Sequence, residues 1–488
     1  MAHPKILVTG ASGYIGGSLV PRLLEGGYPV RVLVRNPAHL RWRPWRQQVE
    51  VAQGDVLKPE TLPAVLANID VAYYFIHSLY AGADFHDLDL VAARSFAQAA
   101  REAGVQRIIY LGGLGDPSDS LSEHLRSRQL TGAALREAGV PVTEFRAAVI
   151  IGAGSASFEM IRYLTERIPP MICPRWVFSR MQPIAIDNIL DYLVGALEVP
   201  ASSGQIIEIG GADVMTYGET MMGYARSRGL RRWLIPVPLL TPGLSSHWVA
   251  WVTPVSARIA RPLIEGLRND VVVTDDTAQR LFPHVHLLDY EESLHRALAD
   301  LRPETIDMGR YDAAADERGD APAAFFLLRN GIYMDRRYRT VDAPPEEVFR
   351  VLSDLGGENG WLYANWAWRL RWFLDRLLGS PACQAGRADP DNVCVGDALD
   401  FLRVEEVHPA SFLRLHSEVE LAGRLWVQFE SRPHGDCQTR LVQTIFFAPK
   451  GVIGLLYWYL FYPLHAVVFA GLIREIGRRA ERICHQEV

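Results

Sequence analysis

At 488 residues the chain is too long for one ordinary hydrophobic core and requires two or three domains. Hydrophobic residues at 49% against 22% charged mark a folded protein, and a formal charge of -6, from 50 basic and 56 acidic side chains, excludes nucleic-acid binding by bulk electrostatics. The five cysteines, Cys173, Cys383, Cys394, Cys437 and Cys484, are scattered and lack CxxC or Cys/His spacing, so a reduced protein without structural zinc or another metal site is expected.

The chain opens on an apolar run, Lys5 to Thr9, rather than on the charged and apolar regions of a secretory signal, and a cytoplasmic location is the expectation. That run reads as a strand. Gly10-Ala-Ser12-Gly13-Tyr14-Ile15-Gly16 follows it and leads into an apolar helix, Ile15 to Leu24, with a second strand from Val30 to Val34. Gly10 permits a tight turn, Gly13 leaves room for backbone to approach a pyrophosphate, and Gly16 lets the helix sit close on the strand. The helix N-terminus adds N–H donors and the positive end of its dipole.

With this GxxGxxG spacing the chain resembles the atypical and extended short-chain dehydrogenase/reductase superfamily, particularly its NmrA-like branch. The resemblance implies an α/β Rossmann fold, a doubly wound parallel sheet, and a nicotinamide dinucleotide held by Gly10, Ser12, Gly13, Tyr14, Ile15 and Gly16. Strand two ends in Arg35, where an NAD site would carry Asp or Glu, so NADP is favoured over NAD. His39, Arg41 and Arg43 come next and could add to a positive pocket, with solvated surface read first for the last two.

A strand from Val49 to Gln53, the segment Gly54-Asp55-Val56, a helix from Glu60 to Leu66 and a strand from Val71 to Ile76 follow. The resemblance places Asp55 and Val56 at the adenine, and Ile76 and His77 over the adenosine ribose; a turn cap for Asp55 and a strand cap for His77 are the plainer alternatives. A helix from Asp87 to Ala103 carries Leu88, Val91, Ala92, Phe96 and Ala99 at helical spacing. After the strand Arg107 to Leu111 the superfamily places a serine, but Gly112 and Gly113 stand here. On the next helix, where the superfamily's Tyr-x-x-x-Lys pair would lie, are His124 and Arg128, four apart and on one side. Arg128 can grip ribose hydroxyls but stays charged, whereas His124 exchanges protons near neutrality. No lysine occurs between Lys58 and Lys450, so the ordinary Tyr/Lys relay cannot be rebuilt from a neighbour. A catalytic His124 and a silent cleft are both open.

The strand Val142 to Arg146, helices Phe158 to Arg167 and Asn188 to Leu197, the strand Gln205 to Ile209, a helix after Thr216 and an apolar helix around Trp248 to Leu263 complete this domain, residues 1–301, with a cap over the cleft. Trp233, Trp248 and Trp251 suit either an apolar ligand or a core. The polar, turn-rich stretch 302–324 reads as a linker.

Residues 325–488 read as a second, α+β domain: strand Ile332 to Thr340, helix Glu346 to Leu352, strands Ala398 to Glu406, Phe412 to Val419, Arg424 to Arg432 and Gln438 to Phe447, then a long helix. That is the helix-grip (START-like) order, which wraps a sheet around the last helix and leaves an apolar cavity. The pairing of the two domains resembles bacterial proteins whose C-terminal domain has no known function. Gly360 to Leu378, aromatic and basic, suits a membrane interface. Val452 to Ile473, uncharged throughout, is long enough to span one, but Pro463 and His465 and the helix-grip order rank a buried helix first.

Three functions are open: an NADP(H)-dependent oxidoreductase acting on a hydrophobic carbonyl or quinone-like substrate, with His124 as proton source; a non-catalytic NADP redox sensor; and a membrane-associated accessory protein.

Overall fold

The computed structural model describes residues 3–40, 43–77, 85–115, 121–237, 264–266, 269–301, 306, 312, 315, 319, 323–329, 331–356, 360–366, 393–399, 401–417, 422–435 and 437–486. The chain divides into two units, Met1–Leu301 and Arg302–Val488.

In the first unit seven short strands pair in parallel. They are β1 (Ile6–Thr9), β2 (Val30–Val34), β3 (Glu50–Gln53), β4 (Val71–Tyr74), β5 (Arg107–Gly113), β6 (Val142–Ala147) and β7 (Ile206–Ile209), in the order β7-β6-β5-β4-β1-β2-β3. β1 is buried along its whole length, as a strand covered on both faces must be. Its side chains alternate: Ile6 and Val8 join a core with α1 (Tyr14–Glu25), while Leu7 joins a core on the other face. The second face is covered by α2 (Leu62–Leu66), α3 (Phe85–Glu102) and α4 (Glu123–Glu137). This is the expected Rossmann sheet, and its strand order reverses between β1 and β4, which puts the crevice at their carboxyl ends.

Beyond β6 lie α5 (Ala156–Arg167), α6 (Ile186–Glu198), α7 (Tyr217–Ser227), α8 (Thr277–Leu281) and α9 (Tyr290–Ala299). α6 packs with α1 on the sheet, while α5 and α7 build a separate core with Trp176 and Tyr290 above the crevice. Trp233, expected in the cap's apolar lining, is 60% exposed on an edge strand, Trp233–Pro236, that pairs with Pro170–Cys173. The helix expected around Trp248 to Leu263 lies outside the described residues apart from its surroundings at 264–266.

The second unit is an antiparallel sheet of seven strands: β8 (Ala323–Arg329), β9 (Ile332–Val341), β10 (Ala398–Leu399), β11 (Leu402–His408), β12 (Phe412–Ser417), β13 (Gly423–His434) and β14 (Gln438–Pro449). The order is β8-β9-β14-β13-β12-β11-β10. Against one face pack α10 (Pro345–Ser353) and part of α11 (Gly451–Gln486), with Trp458, Phe469, Leu472 and Ile476 meeting Phe429, Leu441 and Ile445.

The other face holds Arg336, whose side chain is wholly buried between Asp312 at 2.8 Å and Glu430 at 2.9 Å. Ile306, Asp312 and Ala315 belong to the stretch expected to be a linker, yet they are buried against this face. The stretch looked like a linker because it is polar. It packs because the sheet offers it a buried guanidinium and an apolar strip of Met334, Trp426 and Phe446.

The expectation of a buried α11 holds for one face only. Its inner face is core, but Ile453, Leu456, Leu460 and Val467 are exposed on its outer face, so the apolar run 452–473 is only half accounted for by burial. Of the aromatic insertion, Trp361 is buried and Trp366 exposed, and residues 367–378 lie outside the described ones.

Candidate active site

Gly10 has φ +65°, and a Cβ there would stand 2.6 Å from the carbonyl oxygen of Phe75 at the end of β4. A Cβ at Gly16 would stand 2.6 Å from the Gly10 carbonyl. Only glycine therefore allows β1, β4 and the first turn of α1 to come this close. α1 begins at Tyr14 after Gly13, with no acidic residue in its first turn, so its N-terminal N–H groups and dipole face the crevice without an opposing charge from that turn. The loop fits a pyrophosphate, a fit that side chains at these positions would fill.

β4 delivers His77 to the same crevice. Its Nδ1 lies 2.7 Å from Asp89 of α3. α4 is capped by Ser122, whose hydroxyl accepts from the Leu125 N–H at 3.3 Å. That start sets His124 and Arg128 one turn apart, with the His124 ring 5.3 Å from the His77 ring. Arg128 lies over the Tyr110 ring at 4.9 Å and donates to the Leu111 carbonyl, while the Tyr110 hydroxyl donates to the Arg128 carbonyl at 2.9 Å. The arginine is thereby clamped to the end of β5. Burial pushes the Tyr110 phenol up to about 12, so it stays protonated.

One cavity of about 440 Å³ is lined by Gly10, Gly13, Tyr14, Ile15, Gly16, His77, His124 and Arg128. Five other expected residues do not line it. Ser12 is exposed, and its carbonyl accepts from Arg43 at 3.3 Å. Arg35 is exposed at the end of β2. Asp55 accepts from the Leu57 N–H at 3.1 Å, the turn-cap geometry, and Val56 and Ile76 pack with the α2 and α3 core.

Sequence reading passed over Asp89 and Tyr217, and ranked Arg43 first as solvated surface. Arg43 turns back over the glycine loop, and its Nε is buried with no hydrogen-bond partner among the described residues. Asp89 was hidden as one acid on an amphipathic helix. Tyr217 lines the cavity from α7, its hydroxyl buried and likewise without a partner among the described residues. Burial raises both the Tyr217 and the Tyr14 phenol well above the ordinary range, so both are neutral hydrogen-bonding groups. A Cβ at Gly113 would press 2.8 Å from the Leu125 side chain, so α4 occupies the space of the absent serine.

Residues 10–141 match the NAD(P)H-binding family, and residues 327–472 match a family described as a protein of unknown function (DUF2867). A ceramide reductase of Caulobacter vibrioides (strain NA1000 / CB15N) is 30% identical over 252 residues, spanning 50% of this chain and 77% of its own length. Sterol demethylase protein B of Methylococcus capsulatus (strain ATCC 33009 / NCIMB 11132 / Bath) is 26% identical over 296 residues, 57% of this chain and 83% of that one. A triphenylmethane reductase of Citrobacter sp. shares the fold of the first unit, at 21% identity and a TM-score of 0.50 over 60% of this chain and 99% of its own. With the glycine cradle, the reversal of strand order beside it and these similarities together, the chain belongs to the NAD(P)H-binding, NmrA-like extended short-chain dehydrogenase/reductases, joined to a C-terminal DUF2867 domain.

Proposed function

We propose that the protein is an NADPH-dependent reductase of a hydrophobic carbonyl or quinone-like compound. The observation that carries the reading is the pair of imidazoles, His77 and His124, beside the glycine cradle, with Asp89 behind the first of them. The dinucleotide, when bound, supplies the hydride. Gly10, Gly13 and Gly16 admit its pyrophosphate, and Arg43, together with Arg35, favours the extra 2′-phosphate of NADP.

Reduction also needs a proton for the substrate oxygen, and imidazolium is the acid this cleft offers near neutral pH. Asp89 fixes the His77 ring and stabilises its protonated form. His124 sits beside it, in the place of the missing tyrosine. Tyr217 can donate a hydrogen bond to the same oxygen from above. The apolar lining, with Met160, Val149 and Leu114, favours a lipid-like skeleton, in keeping with the names of two relatives, a ceramide reductase and a sterol demethylase protein.

The test is NADPH oxidation by the purified full chain across long-chain ketones, sterol ketones, aldehydes and quinones. Turnover with at least one class supports the reading. Tight binding of NADPH over NADP⁺, or the reverse, with no turnover across that panel would replace it with redox sensing.

A further inference from the structure

α11 is divided along its length in a way that its core packing does not explain. On the outer face of its first half stand Ile453, Leu456, Tyr459, Leu460 and Val467, each between 58% and 74% exposed. Ile453, Leu460, Val467 and Arg474 are spaced by whole heptads, and an α-helix drifts only about 20° per heptad, so they lie on one line. Beyond Val467 the character of that line changes. Arg474, Arg478 and Arg482 are exposed and follow each other one turn apart. None has a carboxylate partner among the described residues, while the nearby acids are committed elsewhere, Glu475 to Arg479 and Glu481 to Arg339.

We propose that this face docks on an anionic phospholipid bilayer, the apolar half entering the hydrocarbon and the arginine half lying at the phosphates. From Ile453 to Val467 the helix rises about 21 Å at 1.5 Å per residue, and its exposed face there carries no charge. A partner protein recognising such a band would leave the arginines to find carboxylates of their own. A bilayer offers both requirements in the same order, hydrocarbon and then a negative surface. The inference rests on the second unit alone and stands or falls independently of the reductase reading.

The experiment is co-sedimentation of the full chain with vesicles of phosphatidylcholine alone and of phosphatidylcholine with 30% phosphatidylglycerol, a composition of order suited to test the surface charge. Binding is expected to the mixed vesicles and to weaken as salt is raised. Leu456→Glu with Leu460→Glu is expected to abolish it, and Arg474→Glu with Arg478→Glu to remove the preference for phosphatidylglycerol. All four side chains are exposed, and unchanged thermal unfolding checks the fold. Leu460→Cys carrying a polarity-sensitive fluorophore gives a second reading, a blue shift on adding mixed vesicles. No sedimentation, sedimentation that survives Leu456→Glu/Leu460→Glu, or no blue shift overturns the proposal. So does a dimer without lipid that the same two glutamates split, since a second copy would then be the occupant.

Discussion

The Nδ1 of His77 lies 2.7 Å from an oxygen of Asp89, and the Asp89 side chain is only 3% exposed. A buried carboxylate at that distance orients the ring and favours its protonated form, while leaving the opposite ring nitrogen directed away from the pair. Asp89→Asn keeps the shape and removes the charge. With a substrate identified, its kcat is expected to fall by about 10- to 100-fold, within the span of general acid catalysis, with the Kd for NADPH unchanged. An equal fall in NADPH affinity would make Asp89 a structural residue.

Arg43 lies across the glycine loop, within 3.3 Å of the Ser12 carbonyl. A charge-assisted contact to a phosphate contributes about 1.5–3 kcal/mol, so Arg43→Ala is expected to weaken NADPH about 10- to 100-fold. NADH, lacking the 2′-phosphate, should bind as before. Calorimetric titration of both nucleotides checks this, and an equal loss for both would sink the assignment.

Tyr217 keeps a buried hydroxyl that has no partner among the described residues. If packing were its whole purpose, phenylalanine would serve better, because an unsatisfied buried hydroxyl costs about 1–3 kcal/mol. Tyr217→Phe is therefore expected to raise Tm while lowering kcat/KM about tenfold. A stabilised variant with full activity would remove Tyr217 from the site.

Glu430 and Asp312 flank Arg336 in the second unit. Burial would raise the Glu430 carboxyl, but Arg336 and Arg432 outweigh it and hold it below the usual value. The folded form thus prefers the carboxylate more than the unfolded form does. Its contribution is complete above the unfolded carboxylate range, about 4.3, and is lost as pH falls through the lower, folded value. Glu430→Gln should cost about 3–5 kcal/mol at neutral pH, and unfolding of the variant should depend less on pH below about 4.3. Chemical denaturation of wild type and variant at pH 7 and pH 4 measures both.

The elements that positioned the site were legible because their causes are local. Three apolar residues and a threonine before a glycine turn make β1, the turn spacing makes the cradle, and the four-residue step from His124 to Arg128 sets one face of α4. The partners were not legible. His77 and Asp89 are separated by a stretch that reveals no pairing, and nothing local announces that Arg128, which lines the cavity, is held by the Leu111 carbonyl and the Tyr110 ring. α11 shows the limit most clearly: an uncharged run reads alike whether core, lipid or solvent faces it.

The sequence by itself determined a Rossmann unit with a nicotinamide dinucleotide site and a second α+β unit, because strand and helix periodicity and obligatory glycines are set by neighbours a few residues away. Only the tertiary structure decided that His77 meets Asp89 and His124, that Arg43 rather than Arg35 crosses the loop, that Tyr217 closes the cavity, and that Asp312 belongs to Arg336. Those outcomes depend on which buried charges and faces long-range packing brings together, and burial makes each such pairing obligatory once the sheet has placed it.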